Sequence, residues 1–243
     1  MIAIFKKEIQ SFFTSSIGYL IIGLFLLLNG LFLWVFKGNF NIFDYGFADL
    51  SNFFLLAPWV FLFLIPAITM KSFSEEHKLG TLELLLIKPV SILQLVSGKF
   101  WGSFALCLIA VIPTTIYVFS ISSLGIVEGN YDFGVVIGSY FGLLFLIAAY
   151  TSIGLFSSSI SDNQILSFII AIVLCFFLFF GFEALATLIT DGHKLQVIKS
   201  FGAKAHFEVI AQGIIDTRDI IYFLVLTFFF IYLTYAQLKN LNK

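Results

Sequence analysis

Residues 71–91 read KSFSEEHKLGTLELLLIKPVS and lie between two strongly apolar segments of the chain. The interior of a bilayer excludes charge, so a segment this polar must face water or another protein. Its residues also carry the signals of ordered structure. Ser72 with Glu75 forms a capping box that predicts the start of a short helix, and Gly80 predicts the left-handed end of that helix.

A second short helix is predicted directly after the first. Thr81 is expected to cap a helix through 82–87, which Pro89 then ends. Ser91 with Gln94 forms another capping box, which predicts the start of the next apolar helix. Two short capped helices between membrane spans indicate a docking element for another protein. The alternative interpretation is a solvated loop between spans.

The composition indicates an integral membrane protein. Of the 243 residues, 60% are hydrophobic and 11% are charged, whereas a soluble domain carries roughly 25% charged residues. The net charge of −1 offers no basic surface for neutralising phosphates, so no nucleic-acid partner is expected. Cys107 and Cys175 lie within apolar runs and are expected to be buried thiols.

Residues 1–15 are predicted to form an amphipathic interfacial helix. Its apolar residues recur at helical spacing, and they are Ile2, Phe5, Ile9, Phe12 and Phe13. Lys6 and Lys7 lie elsewhere on this helix and are expected to touch lipid head groups or a partner protein. The alternative is that this segment simply begins the first membrane span.

Six segments are long enough to cross a bilayer, which takes about 20 mostly apolar residues. The first run is too long for a typical signal peptide and is expected to remain as an uncleaved span. Pro66 and Pro113 fall inside spans two and three, where kinks are tolerated. The predicted spans are 17–36, 53–70, 93–119, 134–156, 165–189 and 219–238. We therefore expect an all-α membrane protein with a single transmembrane domain over residues 1–243.

The distribution of basic residues predicts that both termini are cytoplasmic. This orientation places eight lysines inside and five basic residues outside. It makes 71–92 a cytoplasmic loop and 190–218 an external loop. In the external loop, Gly213 is predicted to end a short surface helix, and Asp216 or Thr217 to cap span six.

Two further local patterns concern span four and the connection after it. Gly138 and Gly142, followed by Ala148 and Ser152, form a stripe of small residues that predicts close helix packing. In the connection 157–164, Ser161 with Gln164 is a candidate capping box for span five.

The sequence shows no catalytic motif and no source of energy. It lacks the phosphate-binding pattern G-x-x-x-x-G-K-[ST], and no nucleophile elbow surrounds a serine. The three histidines lack ligand-like spacing, so no metal site is expected. Glu183 is read as the one charged residue inside a predicted span, near the outer end, where a carboxylate would reach the interface. An ion-coupled transporter that uses Glu183 is an alternative.

Two sequence blocks resemble those of ABC-2-type transporter permeases. The first cytoplasmic loop of that family carries an acidic pair, then G-T-L-E-x-L-L, then P-V-S. The matching residues here are Glu75, Glu76, Gly80, Thr81, Leu82, Glu83, Leu85, Leu86, Pro89, Val90 and Ser91. The block HFEVIAQGIIDTRDIIYF resembles the second recurring block, and its candidate site residues are Phe207, Gly213, Asp216, Arg218 and Asp219. Together the blocks are most similar to the permease associated with gliding motility, and permeases of copper-enzyme maturation are similar too.

The resemblance implies that 71–92 contains a coupling helix that enters a groove on a separate ATP-binding subunit. Glu75, Glu76 and Glu83 would meet basic groups on that subunit. The apolar cleft there would take three leucines, which are Leu82, Leu85 and Leu86. ATP and Mg would bind the partner, and this chain would bind no cofactor.

The resemblance also implies the assembly and its location. Two ATP-binding subunits, a second permease copy and an auxiliary membrane subunit with a large periplasmic domain are expected in a bacterial inner membrane. The outer ends of spans two and five are expected to meet the second permease copy. A membrane scaffold that anchors a motility complex without transport is the alternative, and the transported substrate is not indicated.

Overall fold

The computed structural model describes residues 1–47, 49–82, 91–125 and 131–241. Every regular element within these ranges is a helix, and none of them contains a strand. Six helices are long and apolar enough to cross a membrane, which confirms the predicted all-α fold with six spans. They are Ser16–Val35, Ser51–Lys78, Ile92–Leu124, Phe133–Ile160, Gln164–Ala186 and Thr217–Leu241.

The chain begins with a helix that turns directly into the first span. Helix α1 covers Ile2–Thr14, and the extended backbone of Ser15 separates it from α2, Ser16–Gly30. The Ser15 side chain accepts a hydrogen bond from the backbone N–H of Ile17, which caps α2. A π-helical turn over Leu31–Val35 completes the span, and a short helix α3 follows at Ile42–Tyr45.

Span two continues without a break into the charged segment. Helix α4, Ser51–Thr69, and helix α5, Lys71–Lys78, are joined by Met70, whose backbone is itself helical. The prediction that Ser72 caps a new helix is therefore wrong, because a capping residue needs a non-helical backbone. Gly80 has φ +65°, which confirms the predicted left-handed end.

Span three begins as predicted. The Ser91 side chain accepts from Gln94 N–H and the Gln94 side chain from Ser91 N–H, which confirms the capping box at the start of α6, Ile92–Val111. A 3₁₀ turn over Ile112–Thr115 contains Pro113, and α7, Ile116–Leu124, completes the span. The proline tightens the helix locally, and the chain stays helical beyond it.

Helix α8, Phe133–Ile160, lies at the centre of the bundle and packs against spans two, three, five and six. Span five starts as α9, Gln164–Phe176, continues through a π-helical turn over Phe177–Gly181 and ends as α10, Phe182–Ala186.

The capping residue of α9 is Asn163, whose side chain accepts from Ile165 N–H at 2.9 Å. The predicted Ser161 cap is wrong, because the Ser161 hydroxyl accepts from Asn163 N–H instead. The residue directly before the helix thus provides the cap.

The segment after span five folds back against the bundle. Helix α11, Gly192–Lys199, is half-exposed, whereas α12, Ala203–Ala211, packs against α8 and against α13, Thr217–Leu241. The predicted surface helix is therefore wrong, because Phe207 and Ile210 of α12 are buried in the core.

The glycines of span four explain how α12 comes so close. A Cβ at Gly138 would lie 2.9 Å from the Cα of Gly213, and one at Gly142 would lie 3.0 Å from the Ile210 side chain. The predicted close packing is confirmed, but the helix packed there is α12. Gly213 has φ +81° and follows the end of α12, and Asp216 accepts from Arg218 N–H at the start of α13, which confirms both local predictions.

Candidate functional site

A buried lysine lies where α1, α5 and α6 meet. Lys99 of α6 is 2% exposed, and its Nζ donates to the Glu8 carboxylate at 2.8 Å and to the Ser72 carbonyl at 2.5 Å. The same Nζ lies 3.1 Å from the Glu76 carboxylate. The ammonium thus has two hydrogen-bond acceptors and a second carboxylate at ion-pair distance, so its buried charge is compensated.

Glu76 connects this lysine to a second one. Its Oε1 also accepts from Lys7 Nζ at 3.1 Å, so one carboxylate bridges a lysine of α1 and a lysine of α6. We call Lys7, Glu8, Glu76 and Lys99 the four-charge cluster. Its two positive and two negative charges cancel, and three of the four groups have little contact with water, whereas the Lys7 side chain is 61% exposed.

Two glycines of α6 allow α1 to come this close. A Cβ at Gly98 would lie 2.9 Å from the Ile4 Cβ, and a Cβ at Gly102 would lie 2.7 Å from the Glu8 Cβ. Helix α1 therefore lies directly on α6 next to Lys99 and about one turn after it. The Lys99 ammonium also lies 4.9 Å from the centre of the buried Phe73 ring, at cation–π distance.

The end of α5 offers an exposed surface next to the cluster. Glu75, Lys78 and Gly80 are exposed, and Leu79 is 66% exposed although it is apolar. Glu75 is thus free of the cluster, whereas the carboxylate of Glu76 is already paired within the chain. Contact of either residue with a partner stays a prediction.

The following residues behave differently from the expectation. Thr81 is half-buried, and its hydroxyl donates to the Glu76 carbonyl at 3.4 Å. Leu82 is 3% exposed and belongs to a small apolar cluster with Phe73 and Leu95. In this conformation Leu82 packs inside the chain, because the turn at residue 80 directs it back against α6. Four predicted site residues lie outside the described residues, and these are Glu83, Leu85, Leu86 and Pro89.

The residues predicted for the interfacial helix divide between two environments. Phe5 and Ile9 are half-buried, and Ile9 packs against the main core, whereas Ile2 and Lys6 are exposed. Lys7 pairs with Glu76 while its side chain stays 61% exposed, so its contact with lipid or a partner stays a prediction.

At the other end of the bundle, residues of the second block form a separate polar group. His206 Nδ1 lies 2.6 Å from an Asp219 carboxylate oxygen, and its Nε2 lies 2.8 Å from the Ser200 carbonyl. Only the imidazolium form can donate to both acceptors. The ring stacks on Tyr222, whose hydroxyl donates to the Phe201 carbonyl at 2.7 Å. These contacts hold α12 and the turn before it against α13.

Glu183 also has its partner at this end. Its carboxylate accepts from Lys204 at 2.5 Å, and the same lysine lies 3.7 Å from Glu208. Glu183 belongs to α10, the last turns of span five, and its side chain is 37% exposed. This position favours the interfacial interpretation over a transport role. Arg218 is exposed beside the start of α13.

Sequence reasoning missed the four-charge cluster as a unit. The prediction that Glu183 is the one charged residue inside a span is wrong, because Lys99 lies several residues inside predicted span three, 93–119. A charge at that depth needs a partner, and this requirement was the available signal. Among the described residues no group of three or more metal-ligating side chains comes together, and Cys107 and Cys175 are buried free thiols.

Comparison with protein families identifies the family of the chain. The family model described as ABC-2 family transporter protein matches residues 2–240, a range that includes the four-charge cluster and both sequence blocks. No curated protein matches the chain.

Proposed function

The chain belongs to the ABC-2 transporter family, and we propose that residues 71–91 couple it to a separate ATPase subunit. A permease of this family is the transmembrane subunit of an ABC transporter, which needs an ATPase partner. One observation carries the proposal. The helix Ser51–Lys78 runs from span two into the charged segment without interruption and ends in an exposed surface. A force that the ATPase applies to that end would therefore act directly on span two.

The chemistry of the exposed end suits a protein surface with basic and apolar groups. Glu75 offers an accessible carboxylate, and Leu79 offers an apolar side chain that the described residues leave exposed. An apolar contact with charged groups around it matches the general layout of a protein interface, an apolar centre with a polar rim. ATP and Mg would bind the ATPase, and this chain would supply no catalytic group.

The assembly follows from the same proposal. Two ATPase subunits and a second permease copy would complete the transporter, with both termini on the cytoplasmic side of a bacterial inner membrane. At the outer halves of spans two and five, Trp59 stacks on Phe180 with ring centres 4.0 Å apart, and both residues lie next to exposed apolar side chains. Such a surface supports contact with a second copy there.

For the biological role we propose export or mechanical work in gliding motility, together with an auxiliary subunit that has a large periplasmic domain. Only the resemblance of the two sequence blocks supports this finer assignment. A scaffold that anchors the same machinery without transport is the second candidate. It would keep its role when the ATPase is inactive.

The test is co-purification of the ATPase encoded beside the chain, with Glu75→Lys and Leu79→Asp as separate variants. We expect both to lose the ATPase while remaining in the membrane and monodisperse in detergent. Leu188→Asp is the matched control, because Leu188 is also exposed, at 80% against 66% for Leu79, and lies at the opposite end of the bundle. Retention of the ATPase by both variants would move the contact elsewhere, and an ATPase that never binds the wild type would favour the scaffold.

A further inference from the structure

The four-charge cluster joins three helices that are far apart in the sequence. Glu8 belongs to α1, Glu76 to α5 and Lys99 to α6, and all three charges meet at one buried ammonium. Removing that ammonium would leave two carboxylates with little exposure and without their shared counter-ion. Breaking the four-charge cluster therefore costs free energy, so the three helices stay together as long as the cluster is intact.

The way α1 is held makes this cluster its main attachment. No residue of α1 is fully buried, although Ile4, Ile9 and Phe12 pack partly against the bundle. An amphipathic helix held by half-buried side chains alone could slide on a lipid surface. Here the close approach at Gly98 and Gly102 and the ion pairs of the neighbouring residues Lys7 and Glu8 fix its position.

Helix α5 is held in the same place by three contacts. Its Ser72 carbonyl accepts a hydrogen bond from Lys99, its Glu76 carboxylate accepts one from Lys7, and the same carboxylate forms an ion pair with Lys99. The contacts therefore connect α5 to α1 directly as well as through α6. A displacement of α5 relative to α1 would have to break both connections.

We propose that Lys99 is a positioning residue that makes α1, α5 and the start of α6 one rigid unit. The interfacial helix is then part of the moving machinery and shifts together with the coupling segment. This inference rests on the proposed role of residues 71–91, and it adds α1 and span three to the parts on which the ATPase acts.

The experiment measures the distance between spin labels on cysteines introduced at the exposed Gln10 of α1 and at the half-exposed Lys71, which lies at the end of α5 opposite to Leu79. The complex with the ATPase is compared without nucleotide and with ATP bound to a hydrolysis-deficient ATPase. We expect one narrow distance that is the same in both states. Lys99→Met should replace it by a broad distribution while the ATPase stays bound, and Lys99→Arg should keep it narrow.

Lys204→Met is the matched control, because Lys204 is also ion-paired but lies at the opposite end of the bundle, so the distance should stay narrow. If Lys99→Met does not fold, Glu8→Gln removes one charge at nearly constant shape and should broaden the distribution to a smaller extent.

Two results would overturn the inference: labels that move apart on ATP binding in the wild type, or variants of Lys99 and Glu8 that both keep the narrow distance. Loss of the ATPase from the wild-type complex would instead contradict the proposed function. In that case the label distance in the isolated chain still shows whether Lys99 holds α1 to α5.

Discussion

The two ends of the bundle both attach a short helix, but by different physical means. At one end α1 is attached by a buried lysine that is 2% exposed, and α1 itself buries no residue completely. At the other end α12 buries Phe207 and Ile210, while its Lys204 is 27% exposed and pairs with the half-exposed Glu183. Charge holds the first helix, and apolar packing holds the second.

The difference matters because the two kinds of attachment respond differently to load. Apolar contacts lose free energy in proportion to the area exposed, so a helix attached in this way can shift slightly at little cost. A buried ion pair loses its stabilisation at once when one partner leaves. The end of the bundle that carries the proposed coupling segment is held by buried ion pairs. Such an attachment suits the transmission of force from the ATPase to the spans.

Removing the buried ammonium should have the largest effect. Lys99→Met should lower the free energy of unfolding by about 3–5 kcal/mol, since it leaves Glu8 and Glu76 without their shared counter-ion. Chemical unfolding in mixed micelles measures this loss, and limited proteolysis of the first 15 residues shows whether α1 detaches. A loss no greater than that of Lys204→Met would remove the distinction between the two ends.

Truncating the apolar anchor of α12 should come next. Phe207→Ala should cost about 3 kcal/mol, because it opens a cavity between α12, α8 and span five. The same truncation in α1, Phe5→Ala, should cost clearly less because Phe5 is half-exposed. The same unfolding assay measures both, and equal losses would contradict the view that packing matters more for α12.

The sequence predicted those features that depend on neighbouring residues. Ser91 with Gln94 and the glycines at 80 and 213 act within one turn of helix, so their patterns are visible in a short window. The spans follow from runs of apolar residues. The prediction of a Ser72 cap is wrong because the apolar helix before Ser72 continues through it. A local capping pattern does not start a new helix where the backbone is already helical.

The attachments could not be predicted in the same way. Glu8 lies 91 residues from Lys99, and nothing in either neighbourhood indicates the other. The burial of α12 depends on Gly138 and Gly142 of another helix, whereas its own sequence, AKAHFEVIA, is amphipathic, a pattern that a surface helix shares. Which of several amphipathic segments is packed inward is a tertiary property.

The histidine pair that joins α12 to α13 should contribute less than either main attachment. Asp219→Asn should cost about 2 kcal/mol, because it weakens one charge-assisted hydrogen bond of His206 while the ring keeps its stacking on Tyr222. A double-mutant cycle with His206→Gln measures the coupling between the two residues. Additive losses would mean that stacking on Tyr222 holds the ring without help from the carboxylate.

Breaking the exposed pair of Lys204 and Glu183 should have the smallest effect on stability among these changes at the two ends of the bundle. Glu183→Gln should change the free energy of unfolding by at most about 1 kcal/mol, since water can replace the lysine and Lys204 keeps Glu208 within reach. Transport or motility that survives Glu183→Gln would also argue against an ion-coupled mechanism, which needs that carboxylate. If activity instead vanished with stability unchanged, Glu183 would act on an ion, and the ATPase would no longer be needed as the only source of energy.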